Sequence, residues 1–269
     1  TLLDTLCDLH LSTNAALAAH GMPPRTIDEV RRFVGNGIAL LIHRAVPEGT
    51  PAEVEAAVLD SFRAHYGAHC EDHTAPYPGI RELLASPRCV GVGEFGLDLG
   101  PYSKVPREVQ EDAFRRQLRL AHEMDLPAEL HIRATAGDML SNAYVDAARI
   151  LSDEGVPEKG CDLHCFTAGL KVMENFARLG CHVAFGGAVT FTRSEDIREA
   201  ATFCAERRLL TETDSPYMAP VPLRGEECEP AMVAFTAACV ADVREKAGRG
   251  SRKATYDALW RNACDLFGL

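Results

Sequence analysis

Residues 208–217, Arg-Leu-Leu-Thr-Glu-Thr-Asp-Ser-Pro-Tyr, indicate how most of this chain folds. The apolar pair 209–210 and the alternating threonines and acids predict a strand, and Ser215-Pro216 ends it because proline has no N–H for a sheet ladder. Asp214 then lies at a strand end, where proteins that alternate strands and helices commonly build active sites. A turn-forming or helix-capping role is the alternative for this aspartate.

Four more strands are predicted upstream of this stretch, and helical patterns separate them. The predicted strands are 89–94, 128–132, 161–166, 182–188 and 208–213, and the predicted helices are 107–125, 170–179, 195–207, 230–244 and 252–266. Parallel strands need a crossover connection, which is usually a helix. We therefore expect an α/β fold of TIM-barrel-type (β/α) units. The barrel is expected to be incomplete, because five strands are recognisable where closure needs eight.

Residues 1–87 predict an all-helical segment. Thr26 with Glu29, and Thr50 with Glu53, have the spacing of a capping box at a helix start. None of the three missing barrel strands is recognisable there. The expected domains are therefore residues 1–87 and 88–269, with the boundary at Ser86-Pro87.

Composition limits the classes of function. The 269 residues are 46% hydrophobic and 25% charged, and no apolar run is long enough to span a membrane. The net charge of −11 argues against broad attraction to nucleic acid, although bound divalent cations would reverse the local sign for a phosphate-containing substrate. Ten scattered cysteines without a CxxC pair, and no visible secretory signal, favour a reducing, cytoplasmic location.

Four predicted strands carry residues that commonly bind metals at or near their C-terminal ends, namely Glu94, His131, His164 and Asp214. Parallel strands direct these ends to one face, so two imidazoles and two carboxylates could converge on a divalent ion such as Zn or Mn. Such an ion lowers the pKa of bound water towards about 7, and Asp214 could accept its proton. Arg133 is a candidate for gripping a phosphate. A hydrogen-bonded core histidine is the alternative for each imidazole.

Residues 88–269 resemble the TatD family of metal-dependent deoxyribonucleases. The resemblance is carried by Val-Gly-Glu-Phe-Gly-Leu-Asp (92–98), Phe-Arg-Arg-Gln-Leu-Arg-Leu-Ala (114–121), Leu-His-Ile-Arg (130–133), His-Cys-Phe-Thr (164–167), Glu-Thr-Asp-Ser-Pro-Tyr (212–217), Ala-Pro-Val-Pro-Leu-Arg-Gly (219–225) and Asn-Ala-Cys-Asp-Leu-Phe-Gly (262–268). It implies an amidohydrolase-like TIM barrel and hydrolysis of phosphodiesters, typically in DNA, with a divalent metal (Mg, Mn or Zn).

The same resemblance implies roles for individual residues. Glu94, His131, His164 and Asp214 match the family's metal ligands, with Asp214 and Glu94 as the catalytic carboxylates. Arg133 and Arg224 are the candidates for substrate binding. The family's His-x-His pair on its first barrel strand is absent from this sequence.

Residues 1–87 resemble the N-terminal and cap part of haloacid-dehalogenase-type phosphoglycolate phosphatases, through Thr-Leu-Leu-Asp-Thr (1–5), Val-Gly-Asn-Gly (34–37) and Tyr-Pro-Gly (77–79). The nucleophile strand is missing and the segment contains no lysine, so we expect no phosphatase activity from it. Asp8 and His10 could be ligands if they lay on a strand, because spacing i, i+2 places both on one side. The alternative is a helix that starts near them.

Three hypotheses follow. The preferred one is a metal-dependent hydrolase of TatD type that cleaves phosphodiesters, with DNA as partner. The second is a non-catalytic or metal-impaired TatD-like protein, because the His-x-His pair is missing. The third is a phosphomonoesterase of the phosphoglycolate phosphatase type, which lacks its nucleophile.

Overall fold

The computed structural model describes residues 3–35, 37–101, 103, 105–135 and 143–269. The chain forms two compact units, Thr1–Leu83 and Leu84–Leu269. The division falls close to the boundary predicted at Ser86-Pro87. The functional identities that the sequence suggested for the two segments stay predictions.

The first unit is built from helices α1 (Leu6–Ala19), α2 (Ile27–Phe33), α3 (Ile38–Ala45) and α4 (Ala52–His69), and α5 (Ile80–Leu84) follows at its end. Two short strands, β1 (Leu3–Asp4) and β2 (Ala75–Pro76), pair antiparallel. An all-helical segment was expected, and these strands were missed because two residues carry no periodicity. The unit has its own apolar core, which includes Leu17, Val30, Ile42, Val58 and Phe62.

The two predicted helix starts have different outcomes. At α2 the Thr26 hydroxyl accepts a hydrogen bond from the Glu29 N–H, and the Glu29 carboxylate accepts one from the Thr26 N–H, which confirms the capping box. At α4 the prediction was wrong, because the Thr50 hydroxyl donates instead to the carbonyl of Pro47. Pro51 is the residue that precedes this helix.

The second unit contains a parallel sheet of five strands, β3 (Val92–Asp98), β4 (Ala128–Arg133), β5 (Cys161–His164), β6 (His182–Phe185) and β7 (Leu209–Thr211), in sequential order. The helices are α6 (Arg107–Glu123), α7 (Ala143–Glu154), α8 (Leu170–Leu179), α9 (Glu195–Phe203), α10 (Val233–Lys246) and α11 (Arg252–Phe267). Short 3-10 helices lie at Gly187–Thr190, Glu206–Arg208 and Pro230–Met232. The predicted α/β alternation with five strands is confirmed, although α7 was not predicted.

The two faces of this sheet differ in polarity. Phe95, Leu97 and Leu130 point to the buried face, where the Phe95 ring lies 5.6 Å from that of Phe114 in α6. Side chains alternate along a strand, so the residues between them point the other way. This second face, called the polar face below, carries Glu94, Glu129, His131, Asp162 and His164.

Among the described residues, no helix has both the length and the apolar character that crossing a membrane would require.

Candidate metal centre

Glu94 lies inside a strand rather than at its end. The predicted strand stopped at Glu94, but β3 starts at Val92 and continues to Asp98, because Phe95 and Leu97 supply two more buried positions. The pairing of β3 with β4 shifts register between Val92 and Phe95, and beyond that shift Gly96 pairs with His131. The prediction of a strand end at Glu94 was therefore wrong.

His131 contacts two carboxylates of β3. Its Nδ1 lies 2.6 Å from Glu94 Oε1, and its Nε2 lies 3.6 Å from Asp98 Oδ2. Asp98 and His131 lie on neighbouring parallel strands in register, and Glu94 lies at the register shift of β3 just before the paired stretch. A divalent cation bound by both side chains would take the place of this direct contact between Glu94 and His131.

His164 is the last residue of β5 and lies between carboxylates on both sides of its ring. Its Nδ1 is 2.6 Å from Glu212 Oε2, whereas its Nε2 is 3.7 Å from Glu94 Oε1 and 3.5 Å from Asp214 Oδ1. Burial alone would lower the pKa of this imidazole, but the hydrogen bond and charge of Glu212, with the charges of Glu94 and Glu129, together outweigh it and raise the pKa to about 9. The Glu212 contact turns Nε2 towards Glu94 and Asp214.

Asp214 follows β7 in a left-handed backbone conformation with φ 61°, which is unusual for a residue other than glycine. Cys165, next to His164, is also left-handed with φ 45°, and its thiol donates to Asp214 Oδ2 at 3.6 Å. Burial and the charge of Asp214 raise the pKa of this thiol, so it stays protonated and able to donate. Backbone strain at two contacting residues is typical of functional sites.

The four predicted ligands come together around His164. Ligand atoms of Glu94, His131 and His164 all lie within 4.8 Å of one another, and so do those of His164, Cys165 and Asp214. The set of two imidazoles and two carboxylates fits a divalent ion of the Zn or Mn type, with oxygen ligands that Mg also accepts. We call Glu94, His131, His164 and Asp214 the outer site.

The two predicted substrate-binding arginines have different surroundings. Arg133 ends β4 on the polar face, is about half exposed (53%), and has its Nη1 3.5 Å from Asp98 Oδ2. The Arg224 guanidinium lies over the ring of Phe191, 4.2 Å from its centroid. Arg133 is therefore two residues from a ligand candidate on the same strand face, whereas Arg224 is held by an aromatic ring.

Sequence reasoning missed four residues at this centre, namely Cys165, Glu129, Asp162 and Glu212. Glu129 and Asp162 each precede a site histidine by two residues, so the period of a strand was an available signal. Burial, with the charges of Glu129 and Glu212, raises the pKa of Asp162 to about 8. No comparable signal in the sequence pointed to the thiol of Cys165.

Asp8 and His10 both lie in helix α1, which confirms the helix interpretation, so the hypothesis that they are strand ligands was wrong. The buried Asp8 carboxylate accepts hydrogen bonds from the backbone N–H of His73 and the hydroxyl of Thr74, and it contacts His73 Nδ1 at 2.9 Å. His10 Nε2 lies 3.0 Å from the carbonyl of Arg25.

Comparison with known proteins extends the match well beyond the segment that the motifs covered. A model of the family described as TatD-related DNase matches residues 8–268. The chain is 36% identical over 166 residues to an uncharacterized metal-dependent hydrolase, YabD, of Bacillus subtilis, and the match covers 62% of each chain. The chain thus spans under two thirds of that relative's length.

A second relative and a solved structure are also TatD proteins by name. The protein named 3'-5' ssDNA/RNA exonuclease TatD of Klebsiella pneumoniae is 32% identical over 234 residues, covering 82% of this chain and 85% of that one. The crystal structure of YJJV, a TatD homologue from Escherichia coli K12, is 29% identical with a TM-score of 0.61. It covers 70% of this chain and 68% of that structure's chain.

Proposed function

Because the chain belongs to the TatD-related DNase family, we propose that it is a divalent-metal-dependent hydrolase that cleaves phosphodiester bonds in DNA. The observation that carries the proposal is the outer site, where ligand atoms of Glu94, His131 and His164 lie within 4.8 Å of one another. The name of the Klebsiella relative, a single-stranded DNA and RNA exonuclease, supports single-stranded DNA as the first substrate to test.

In this proposal Glu94, His131, His164 and Asp214 hold the cation. Mg, Mn and Zn are the candidate ions, and the donor set suits each of them. When bound, the ion lowers the pKa of water and offsets the negative charge of the phosphate. Cation binding requires a neutral His164. The raised pKa favours the protonated ring in the metal-free protein, so the ring has to release a proton when the cation binds.

The remaining steps belong to the protein's own side chains. Asp214 is the proposed general base, since Oδ1 faces His164 Nε2 while Oδ2 is fixed by the Cys165 thiol. Glu94 is the second catalytic carboxylate, held by His131. Glu212 orients His164 from the opposite side of its ring. Arg133, half-exposed at the end of β4, is proposed to grip the phosphate, and Arg224 stays a second candidate.

Three finer statements are part of the same proposal. We infer that the five parallel strands form part of a TIM-barrel-type arrangement, which the likeness to YJJV supports. The partner is DNA or another phosphodiester. A cytoplasmic location is supported by ten cysteines that are all free thiols.

The proposal is tested with purified protein, single-stranded DNA and each of Mg, Mn and Zn, beside Asp214→Asn. The wild type is expected to degrade the DNA with at least one metal and to stop when the metal is chelated. Loss of a general base costs about 100-fold or more in rate, so Asp214→Asn should fall at least that far. Asp196→Asn, at an exposed acid of α9, is the matched control and should cleave like the wild type.

Two results would overturn the assignment. Intact DNA with every metal contradicts the nuclease hypothesis, and cleavage by Asp214→Asn at the wild-type rate contradicts the site. A phosphomonoester substrate in the same assay tests the phosphatase hypothesis for residues 1–87, for which no turnover is expected.

A second candidate function is cation binding without catalysis. It is favoured by the absent His-x-His pair and by Asp8, which lies in a helix and is occupied by His73 and Thr74. Under this hypothesis the protein binds Mn²⁺ stoichiometrically but leaves DNA intact. Measuring Mn²⁺ binding beside cleavage therefore separates the two functions.

A further inference from the structure

We propose that the protein has a second divalent-cation site, distinct from the outer site, on the Nδ1 side of His164. Its ligands are carboxylates of Glu129 and Glu212, with Asp162 as a third carboxylate that binds directly or through water. We call these three residues the inner cluster. The proposal concerns cation binding alone, so it does not depend on whether the protein cleaves DNA.

Strand register builds the inner cluster. Glu129 on β4 and Asp162 on β5 are direct partners in the parallel ladder, as are His131 and His164. Each acid lies two residues before its histidine, so all four side chains project from the polar face in two layers. Glu129 and Asp162 therefore form a layer next to His131 and His164, towards the N-terminal ends of the strands, and Glu212 reaches His164 Nδ1 from the segment after β7.

The distances around His164 Nδ1 suit a shared ion. Glu212 Oε2 lies 2.6 Å and Glu129 Oε1 lies 3.8 Å from this nitrogen. Ligand atoms of Glu129, His164 and Glu212 are all within 4.8 Å of one another. This spacing is close enough for the two carboxylates to share one cation.

Asp162 supplies evidence for a bound cation that is independent of the distances around His164. The residue is 2% exposed, and among the described residues its Oδ1 has no hydrogen-bond partner. The charged groups that act on it most strongly are Glu129 and Glu212, which repel it, and His164. A buried carboxylate oxygen without a donor is costly, and two neighbouring acids increase the cost. A cation held by Glu129 and Glu212 beside Asp162 would offset the repulsion and give Oδ1 a partner, directly or through a bound water.

The type of cation follows from the donors. Carboxylate oxygens and water suit hard divalent ions, Mg²⁺ or Mn²⁺, better than ions that prefer sulfur. The Glu129 side chain is 41% exposed, which leaves an entry path and room for water ligands. The inner cluster shares no carboxylate with the outer site and faces the opposite nitrogen of His164, so substitutions can separate the two sites.

Mn²⁺ titration of the metal-free full-length protein tests the proposal, with free Mn²⁺ measured by electron paramagnetic resonance. Two bound ions per chain are expected for the wild type. Glu129→Gln should bind one, and so should Asp162→Asn, whose side chain has nearly the same shape as aspartate but cannot carry the buried charge. The double variant Glu94→Gln with His131→Gln should also bind one, at the inner cluster. Glu108→Gln, at an exposed acid of α6, is the control and should bind two.

Circular dichroism of each variant distinguishes loss of a metal site from loss of the fold. If Asp162→Asn does not fold, the result for Glu129→Gln decides the test. The proposal is overturned if the wild type binds one ion that the outer double variant loses and Glu129→Gln retains. It is also overturned if Glu129→Gln and Asp162→Asn, both folded, still bind two ions. Neither result depends on DNA cleavage, so failure of the inner cluster and failure of the nuclease hypothesis are distinguishable.

Discussion

At the scale of single residues, the centre depends on His164 having different partners at its two nitrogens. Glu212 occupies Nδ1 at 2.6 Å, which leaves Nε2 facing Glu94 and Asp214. All four residues of the proposed outer site were candidates from the sequence, because each is a ligand-type side chain on or just after a strand. The sequence did not predict Glu212 or Cys165, since their roles arise from contacts between segments far apart in the chain.

Replacing Glu212 by glutamine should lower the pKa of His164 in the metal-free protein. The wild-type imidazole is expected to titrate near pH 9, because burial lowers its pKa but the hydrogen bond and charge of Glu212, with the charges of Glu94 and Glu129, together outweigh burial. The neutral amide removes most of that stabilisation of the imidazolium. NMR titration of the histidine ring protons measures the change.

Glu227→Gln, at an exposed acid after β7, is the control for that titration and should leave the pKa of His164 unchanged. An equal His164 pKa in the wild type and in Glu212→Gln would show that Glu212 does not position the ring.

At the scale of elements, the close approach of β3 to β4 sets the distance between Glu94 and His131. Five strands and the flanking helices α6, α8, α9, α10 and α11 were predictable from apolar periodicity. The extension of β3 to Asp98 was not, because a register shift between Val92 and Phe95 interrupts the alternation on which such predictions depend. Helix α7 was missed although Ala143, Ala147, Ile150 and Leu151 are buried on one side.

Gly96→Ala should push these two strands apart. A Cβ at this position would lie 2.0 Å from the carbonyl oxygen of His131, which is backbone and cannot rotate away. We expect a loss of about 2 kcal/mol or more in the free energy of unfolding, together with weaker Mn²⁺ binding. Urea denaturation and Mn²⁺ titration measure the two effects.

Gly169→Ala is the matched control, since its added Cβ would meet only Asp196 Cβ at an ordinary 3.6 Å. If Gly96→Ala were as stable as this control and bound Mn²⁺ normally, β3 would not need its close approach to β4.

Helices α6 and α7 are joined by ion pairs centred on Glu154. Arg119 and Arg115 hydrogen-bond this carboxylate at 2.7–2.8 Å and lower its pKa to about 2. A lowered pKa stabilises the fold above the unfolded-state value of about 4.3, and that contribution is lost as pH falls from there towards 2. Glu154→Gln should therefore flatten the decline in stability over this acidic range.

Thermal unfolding followed by circular dichroism between pH 6 and pH 2 measures this effect. Glu158→Gln, at an exposed acid after α7, is the control and should follow the wild-type profile. Parallel profiles for the wild type and Glu154→Gln would contradict the assigned pairing.

At the scale of the whole molecule, the proposed chemistry rests on the second unit. All four outer-site residues come from β3, β4, β5 and the segment after β7. The first unit has its own core, and its Asp8 is used within that unit by His73 and Thr74. With a net charge of −11, approach of the proposed phosphodiester substrate would depend on bound cations more than on a basic surface.

The central claim is that Glu94, His131, His164 and Asp214 bind one divalent cation. Crystals grown with Mn²⁺ and measured at the manganese absorption edge test it most directly. The account predicts an anomalous peak within ligand distance of His131, of His164 Nε2 and of the carboxylates of Glu94 and Asp214. Anomalous density elsewhere only, with His131 and Glu94 still in direct contact, would contradict it.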